Sequence, residues 1–239
     1  MVIALLTAAG LGTRMGQDIP KQFIHVNNKP LIVYTMEAFE SHPGIDEIMV
    51  VTLPEWTSVL RAYANQFNIS KLKHIEVGGD TGQESIHNGL MAMKEFIKDD
   101  DVVIVHDGNR CFVSSEIISD ALATFHSKGS AAAAIPCVEA VFELNGESSS
   151  TIHIPREKLV RTQTPQVYTY SDIIWAHEEA EKRSIESTAS TCVLMQELGR
   201  TVYFSKGSEL NLKVTTTDDL KIFESLLENK GGKSWLKNV

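Results

Sequence analysis

Cysteine is scarce in this 239-residue chain: Cys111, Cys137 and Cys192 are the three, and no two form a CxxC pair. That excludes a disulfide framework and a cysteine zinc site, and it fits the reducing cytoplasm. Positive charge is also in deficit. The 22 Lys and Arg against 31 Asp and Glu leave a net charge of −9, which excludes a broad nucleic-acid-binding face. A local basic pocket for a phosphate ligand stays compatible with that balance. No apolar run reaches the roughly 18 residues that crossing a bilayer needs. Internal repeats and low-complexity segments are absent. The first ten residues, MVIALLTAAG, resemble the start of a signal peptide. They lack a basic n-region and run straight into a glycine loop, so they read as a first core strand.

What is present is an alternation of two periods. Strand-like runs at 2–7, 45–53, 74–77, 101–106, 131–136 and 201–205 are interleaved with helical patterns. The helices fall at 30–41, 54–68, 84–98, 114–128, 170–183, 187–198 and 217–228. Ser114, and Thr216 or Thr217, supply N-caps, each with acidic residues in the following turn. Strands alternating with helices predict an α/β fold with a mostly parallel sheet covered on both faces. Residues 137–160 break the rhythm with a hairpin pattern, 140–144 and 151–154, around the polar turn NGESSS. They read as an excursion from a single domain spanning 1–239.

The chemistry-bearing stretch follows the first strand: TAAGLGTRMG at 7–16, then Pro20-Lys21-Gln22. Glycines at 10, 12 and 16 let the backbone turn sharply and aim N–H groups at an anion. Arg14 and Lys21 can neutralise phosphate oxygens. A dinucleotide fingerprint would need glycine where Met15 stands, and a P-loop would need a Gly-Lys-Ser/Thr run that is missing. Two readings remain: a strand-to-loop connection without ligand, or a nucleotidyltransferase loop gripping a triphosphate. The two cations flanking the loop favour the second. Asp107 ends an apolar strand, where ligands of α/β sheets bind; a hard carboxylate there suits Mg²⁺, and equally a helix or turn cap. His106 beside it reads as a packed histidine, because a phosphate monoester is already largely a dianion near neutrality and needs no base.

Five blocks, AAGLGTRMG…PKQ (8–22), GGDTGQES (78–85), VHDGNR (105–110), PREKLVRTQTPQ (155–166) and NLKVTTTDDL (211–220), resemble the methylerythritol-phosphate cytidylyltransferase family, which includes the ribitol-phosphate cytidylyltransferases. The resemblance covers nearly the whole chain. It implies a Rossmann-like, mostly parallel mixed sheet of the nucleotide-diphospho-sugar transferase type, with a projecting β-arm at 137–160 that embraces a second subunit. It implies transfer of CMP from CTP to a polyol phosphate, with Mg²⁺ and release of pyrophosphate. Arg14 and Lys21 would then be catalytic, stabilising charge on the α-phosphate. Ala8, Ala9, Gly10, Leu11, Gly12 and Gly108 would hold the nucleotide, with Gly79, Asp80 and Ser85 near its cytosine and ribose. Asp107 would hold the metal. Arg110, Arg156 and Lys213 would hold the acceptor's phosphate, Arg156 reaching in from the neighbouring subunit.

The chain also departs from the family pattern. Gly82 stands where arginine is usual, Glu139-Ala140 where Asp-Thr is usual, and Ala189-Ser190 align with a usual Thr-Asp. The usual HDAxRP becomes HDGNRC, with Asn109 and Cys111. The triphosphate end is intact, whereas the acceptor end has changed. Methylerythritol phosphate is the family's default acceptor. Ribitol 5-phosphate, or another polyol phosphate used for surface polysaccharide, is the alternative. A further alternative is a non-catalytic nucleotide-binding paralogue. The blocks GGDTGQES and RTQTPQ speak against a sugar-1-phosphate uridylyltransferase, and the late third glycine against an oxidoreductase.

Overall fold

The computed structural model describes residues 1–10 and 19–231. Leu11, Gly12 and Arg14 of the glycine loop lie outside the described residues. A seven-stranded mixed sheet forms the centre, built around β1 (Val2–Ala8). On one side of β1 lie β4 (Glu47–Thr52) and then β5 (Leu72–Val77). On the other lie β6 (Val102–Asp107), β10 (Val160–Thr169), β7 (Ala131–Pro136) and β11 (Phe204–Lys206). β10 pairs antiparallel with both β6 and β7, and the other pairings are parallel. Two small hairpins stand apart: β2 (His25–Val26) with β3 (Lys29–Pro30), and β8 (Val141–Glu143) with β9 (Ile152–Ile154).

The central strands β1, β4 and β6 are apolar on both sides, and their period of two divides the core. Ala4, Leu6, Ile48, Val50 and Ile104 face one layer; Ile3, Leu5, Met49, Val51 and Val103 face the other. The first layer is roofed by α1 (Leu31–Glu40), α2 (Thr57–Gln66) and α4 (Ser115–Lys128), through Met36, Phe39, Leu60 and Phe125. The second is roofed by α3 (Gly82–Met93), α5 (Tyr170–Lys182) and α6 (Thr191–Glu197), through Leu90, Ile173 and Leu194. A third cluster joins Phe223 of α7 (Thr217–Gly231) to Val26, Leu31, Cys111 and Val214. It fixes the segment before α7 against the end of β6.

Local signals place the helix ends. Ser114 caps α4 by accepting from the Ile117 N–H, and Gly129, at φ +86°, ends the helix in the left-handed region that glycine adopts without strain. Two expectations shift. The helical pattern at 187–198 contracts to α6, because Ser190 takes extended geometry and the chain before it is loop. The block at 161–166 belongs to a ten-residue strand, β10, that its polar sequence concealed. Pro165 sits there within a register shift between Thr162 and Gln166, where no ladder N–H is required of it.

Leu6 is fully buried at the centre of the sheet. Leu6→Ala is expected to cost about 2–5 kcal/mol of stability, read as a lower urea midpoint with an unchanged m-value. A loss below about 1 kcal/mol would show that the layer relaxes around the gap.

Candidate active site

β1 and β6 are parallel neighbours whose carboxyl ends open on the same edge of the sheet, with Thr7 paired to Asp107. The turn after β6 is pinned by its own backbone. Gly108 N–H donates to the Thr7 carbonyl at 2.9 Å, and the Gly108 carbonyl accepts from the Thr35 hydroxyl at 2.8 Å. A Cβ on Gly108 would meet the Thr7 oxygen at 2.7 Å, so no larger residue fits without moving β1.

Asp107 is the electrostatic centre. Its Oδ2 accepts from Arg110 Nε at 2.9 Å and its Oδ1 from Lys213 Nζ at 2.8 Å, while its backbone N–H donates to the Thr164 hydroxyl at 3.0 Å. Burial pushes the carboxyl pKa up, but Lys213 and Arg110 together outweigh burial and hold it at about 2. The cations are themselves positioned. Arg110 donates to the Asn211 carbonyl at 2.7 Å. The Asn211 amide in turn donates to the Thr164 carbonyl at 2.8 Å, and Gln163 donates to Ser208 at 2.9 Å. The polar block of β10 therefore fastens the chain that carries Lys213.

Two cavities meet at Asp107. One, of about 200 Å³, is lined by Ala8, Ala9, Gly10, Lys21, Gly79, Asp80 and Ser85. The other, of about 230 Å³, is lined by Arg110, Thr164, Gln83 and the 188–191 segment. Thr7, Gly82, Asp107 and Lys213 line both. The first has a backbone floor. Gln22, buried, donates to the Ala8 carbonyl, and the Thr52 hydroxyl donates to the same oxygen at 3.3 Å. Across from it, Gly79 N–H donates to Ser85 Oγ at 3.1 Å. Thr81 caps α3, its hydroxyl accepting from the Glu84 N–H, and the Glu84 carboxylate accepts from the Asp80 N–H before the cap. A Cβ on Gly78 would fall 2.3 Å from that of Ala9, so the two loops touch.

Residues 2–229 match the family model described as 2-C-methyl-D-erythritol 4-phosphate cytidylyltransferase (IspD). The chain belongs to this family. Membership makes it a cytidylyltransferase, a nucleotidyltransferase by class. It is 39% identical to a ribitol-5-phosphate cytidylyltransferase of Lacticaseibacillus paracasei, over 96% of this chain and 99% of that protein. It is 38% identical to a 2-C-methyl-D-erythritol 4-phosphate cytidylyltransferase of Clostridium botulinum, over 94% of this chain and 96% of that one. Among solved structures, the Francisella tularensis 2-C-methyl-D-erythritol 4-phosphate cytidylyltransferase superposes with a TM-score of 0.76 at 25% identity, covering 94% of this chain and 98% of that chain. A crystal structure of 4-diphosphocytidyl-2C-methyl-D-erythritol synthase gives 0.79 at 23% identity, covering 95% and 98%, and shares the fold.

Of the residues named from the cytidylyltransferase sequence, Ala8, Ala9, Gly10, Lys21, Gly79, Asp80, Ser85, Asp107, Arg110 and Lys213 line one cavity or the other, and Gly108 holds the turn beneath them. Arg156 lies elsewhere. It donates to the Val138 carbonyl at 2.7 Å at the base of the β8–β9 hairpin and lines neither cavity in its own chain. Gln83, Thr164, Thr188 and Asn211 were not named as site residues. Three of the four sit inside or beside the blocks that were, but as neutral side chains without a charge to draw attention.

His106 is fully buried beneath the site. Its Nε2 donates to the Arg110 carbonyl at 3.2 Å and its Nδ1 has no partner. Burial lowers its pKa to about 4. His177, in the wall of the second cavity, is likewise lowered to about 4 by burial and then by His87. Both are neutral when folded and gain a proton when unfolded below the ordinary value of 6.5. The unfolded chain therefore binds more protons in that window. Their contribution is complete above pH 6.5 and is lost as pH falls towards 4. Urea midpoints should drop between pH 7 and pH 4.5, and His177→Phe should make that drop shallower. A flat profile would remove both buried neutral histidines from the account.

Proposed function

We propose that the chain transfers CMP from CTP to an open-chain polyol phosphate, the nucleotide occupying the cavity floored by Ala8–Gly10 and the acceptor the cavity beyond Asp107. The observation that carries this is the arrangement of Lys213, Asp107 and Arg110 on the wall between two adjoining cavities. An oxygen of the acceptor's phosphate attacks the α-phosphorus of CTP. The bond to the bridging oxygen breaks, and pyrophosphate leaves with the electron pair. The enzyme needs to bring two anions together and stabilise charge at phosphorus, which positioned cations do without a covalent intermediate. Lys21, with Arg14, serves the α-phosphate. Arg110 and Lys213 serve the acceptor's phosphate.

The site suits Mg²⁺. Asp107 is ionised throughout the physiological range. No cluster of three or more acidic, histidine or cysteine ligands exists among the described residues. That is what Mg²⁺ expects, since it takes one or two carboxylates and completes its shell with phosphate and water. Bound there, it would offset the negative charge of the triphosphate. Asp107 is the residue that would hold it.

The polar side of the second cavity, with Thr162, Gln163, Thr164, Thr188 and Ser190, suits a ligand rich in hydroxyl groups. The whole chain acts as one domain, and 137–160 is its dimer arm. Supporting this, Phe142, Leu144 and Ile152 of that segment are 56%, 68% and 46% exposed, an apolar surface fit for a partner. Arg156 at its base then serves the other subunit's acceptor. Three free cysteines, and no membrane-crossing helix among the described residues, accord with work in the cytoplasm.

Pyrophosphate release with CTP, Mg²⁺ and a panel including ribitol 5-phosphate and 2-C-methyl-D-erythritol 4-phosphate tests the assignment; turnover with UTP or GTP but not CTP would overturn it. Lys21→Ala and Asp107→Asn should each lower kcat by about 10²-fold or more while the protein stays folded, and near-normal rates would take them out of the site. Sedimentation at micromolar concentration should give a dimer, and Arg156→Ala should raise the acceptor KM without moving that of CTP. A monomer active at full rate contradicts the shared site.

A further inference from the structure

The segment 184–190, between α5 and α6, lends Thr188, Ala189 and Ser190 to the wall of the acceptor cavity. Its side chains are exposed or only half-buried, and Ser184 takes a positive φ of +55°. Ile185 packs on the second core layer, but the rest has little apolar anchorage. Its polar tether to the body of the protein is the carboxamide of Gln83, in the first turn of α3. Gln83 Nε2 donates to the Ile185 carbonyl at 2.7 Å. Its Oε1 accepts from both the Thr188 N–H and the Thr188 hydroxyl at 3.0 Å. Three hydrogen bonds from one side chain thus span a sequence gap of about a hundred residues. The same turn of helix, through Thr81, Glu84 and Ser85, shapes the nucleotide loop.

We propose that Gln83 is a positioning residue for the acceptor, fixing the 184–190 segment against the nucleotide loop so that acceptor affinity and selectivity depend on it while CTP affinity does not. This rests on the reading of the second cavity as the acceptor site. The physical reason is entropic. A loop with few buried contacts samples many arrangements unless its backbone groups are held. A ligand that must order it gives up part of its binding free energy in doing so. Gln83 makes that ordering beforehand. It lines the acceptor cavity but not the nucleotide cavity, so its influence on the two substrates should separate.

The test uses Gln83→Met, which keeps the volume and removes all three hydrogen bonds, and Gln83→Glu, which keeps the acceptor oxygen for Thr188 and loses the donor to Ile185. Steady-state kinetics with ribitol 5-phosphate and with 2-C-methyl-D-erythritol 4-phosphate should show the acceptor KM raised about tenfold in Gln83→Met, with a smaller rise in Gln83→Glu. The preference between the two acceptors should narrow. The KM for CTP should stay within about twofold, and amide exchange should quicken at 185–190 with little change elsewhere. Unchanged acceptor KM and selectivity in an active Gln83→Met enzyme would overturn the proposal, whatever happens to exchange. So would a parallel rise in both KM values with a fall in Tm, which marks a general structural role. A wild-type enzyme inactive with every acceptor sinks the functional reading and this inference with it. An active wild type with an unaffected variant sinks this inference alone.

Discussion

The constraint on which the site depends is a carboxylate set between two cations at the end of a buried strand. Burial at the strand end drives the Asp107 pKa upwards. Lys213 and Arg110 reverse the sign. The dependence runs both ways. Two cations a few ångströms apart repel each other, and the shared carboxylate lets both stand at one cavity wall before any anion arrives. Much of the neighbouring polar structure serves that triplet: Thr164 on the Asp107 amide, Asn211 on Arg110, and Gln163 on the 207–214 segment. Losing any one of these would shift a charge rather than merely a contact.

That arrangement explains which parts of the protein were legible in the sequence. The central parallel strands β1, β4 and β6 are nearly continuous apolar runs, and the helices carry periodic apolar faces, so the layers follow from pattern. Ala8, Asp107 and Gly108 sit at strand ends on one edge, as the topology of such sheets requires. β10 was hidden because a strand that orients polar groups around a charge cluster must itself be polar. Its Thr162, Gln163 and Thr164 look like loop, and Pro165 looks like a break. The late start of the helix expected at 187–198 is hidden for a related reason. Thr188 is engaged by a side chain from α3, a long-range contact that no local signal reports. The small hairpin β2–β3, turning through Asn27 and Asn28 at positive φ, was passed over because its strands are only two residues long.

Arg156 stands apart from the other residues that the resemblance names. The motif around it matched, yet it stands at the base of the arm, tied to Val138 rather than to the charge cluster. A cation kept that far from both cavities, beside exposed apolar residues, has a use if a second copy brings it to the other subunit's site.

The departures from the family pattern fall unevenly, and the structure gives a reason. The nucleotide wall is built from backbone in close contact: Gly78 against Ala9, Gly79 against Glu84, Gly108 against Thr7. A Cβ at any of these glycines comes within 3 Å of a neighbouring atom, so a larger residue there requires a local shift. Gly82 differs. A Cβ on it would meet nothing within 4 Å, and it faces the place where the two cavities join. Ala189 and Ser190 likewise sit on a partly exposed loop held by side chains rather than by packing. Substitution at these positions changes the size and polarity of the acceptor cavity while leaving the sheet, the turn after β6 and the charge triplet in place. Packing thus leaves Gly82, Ala189 and Ser190 freer to vary than the close-packed glycines Gly78 and Gly79.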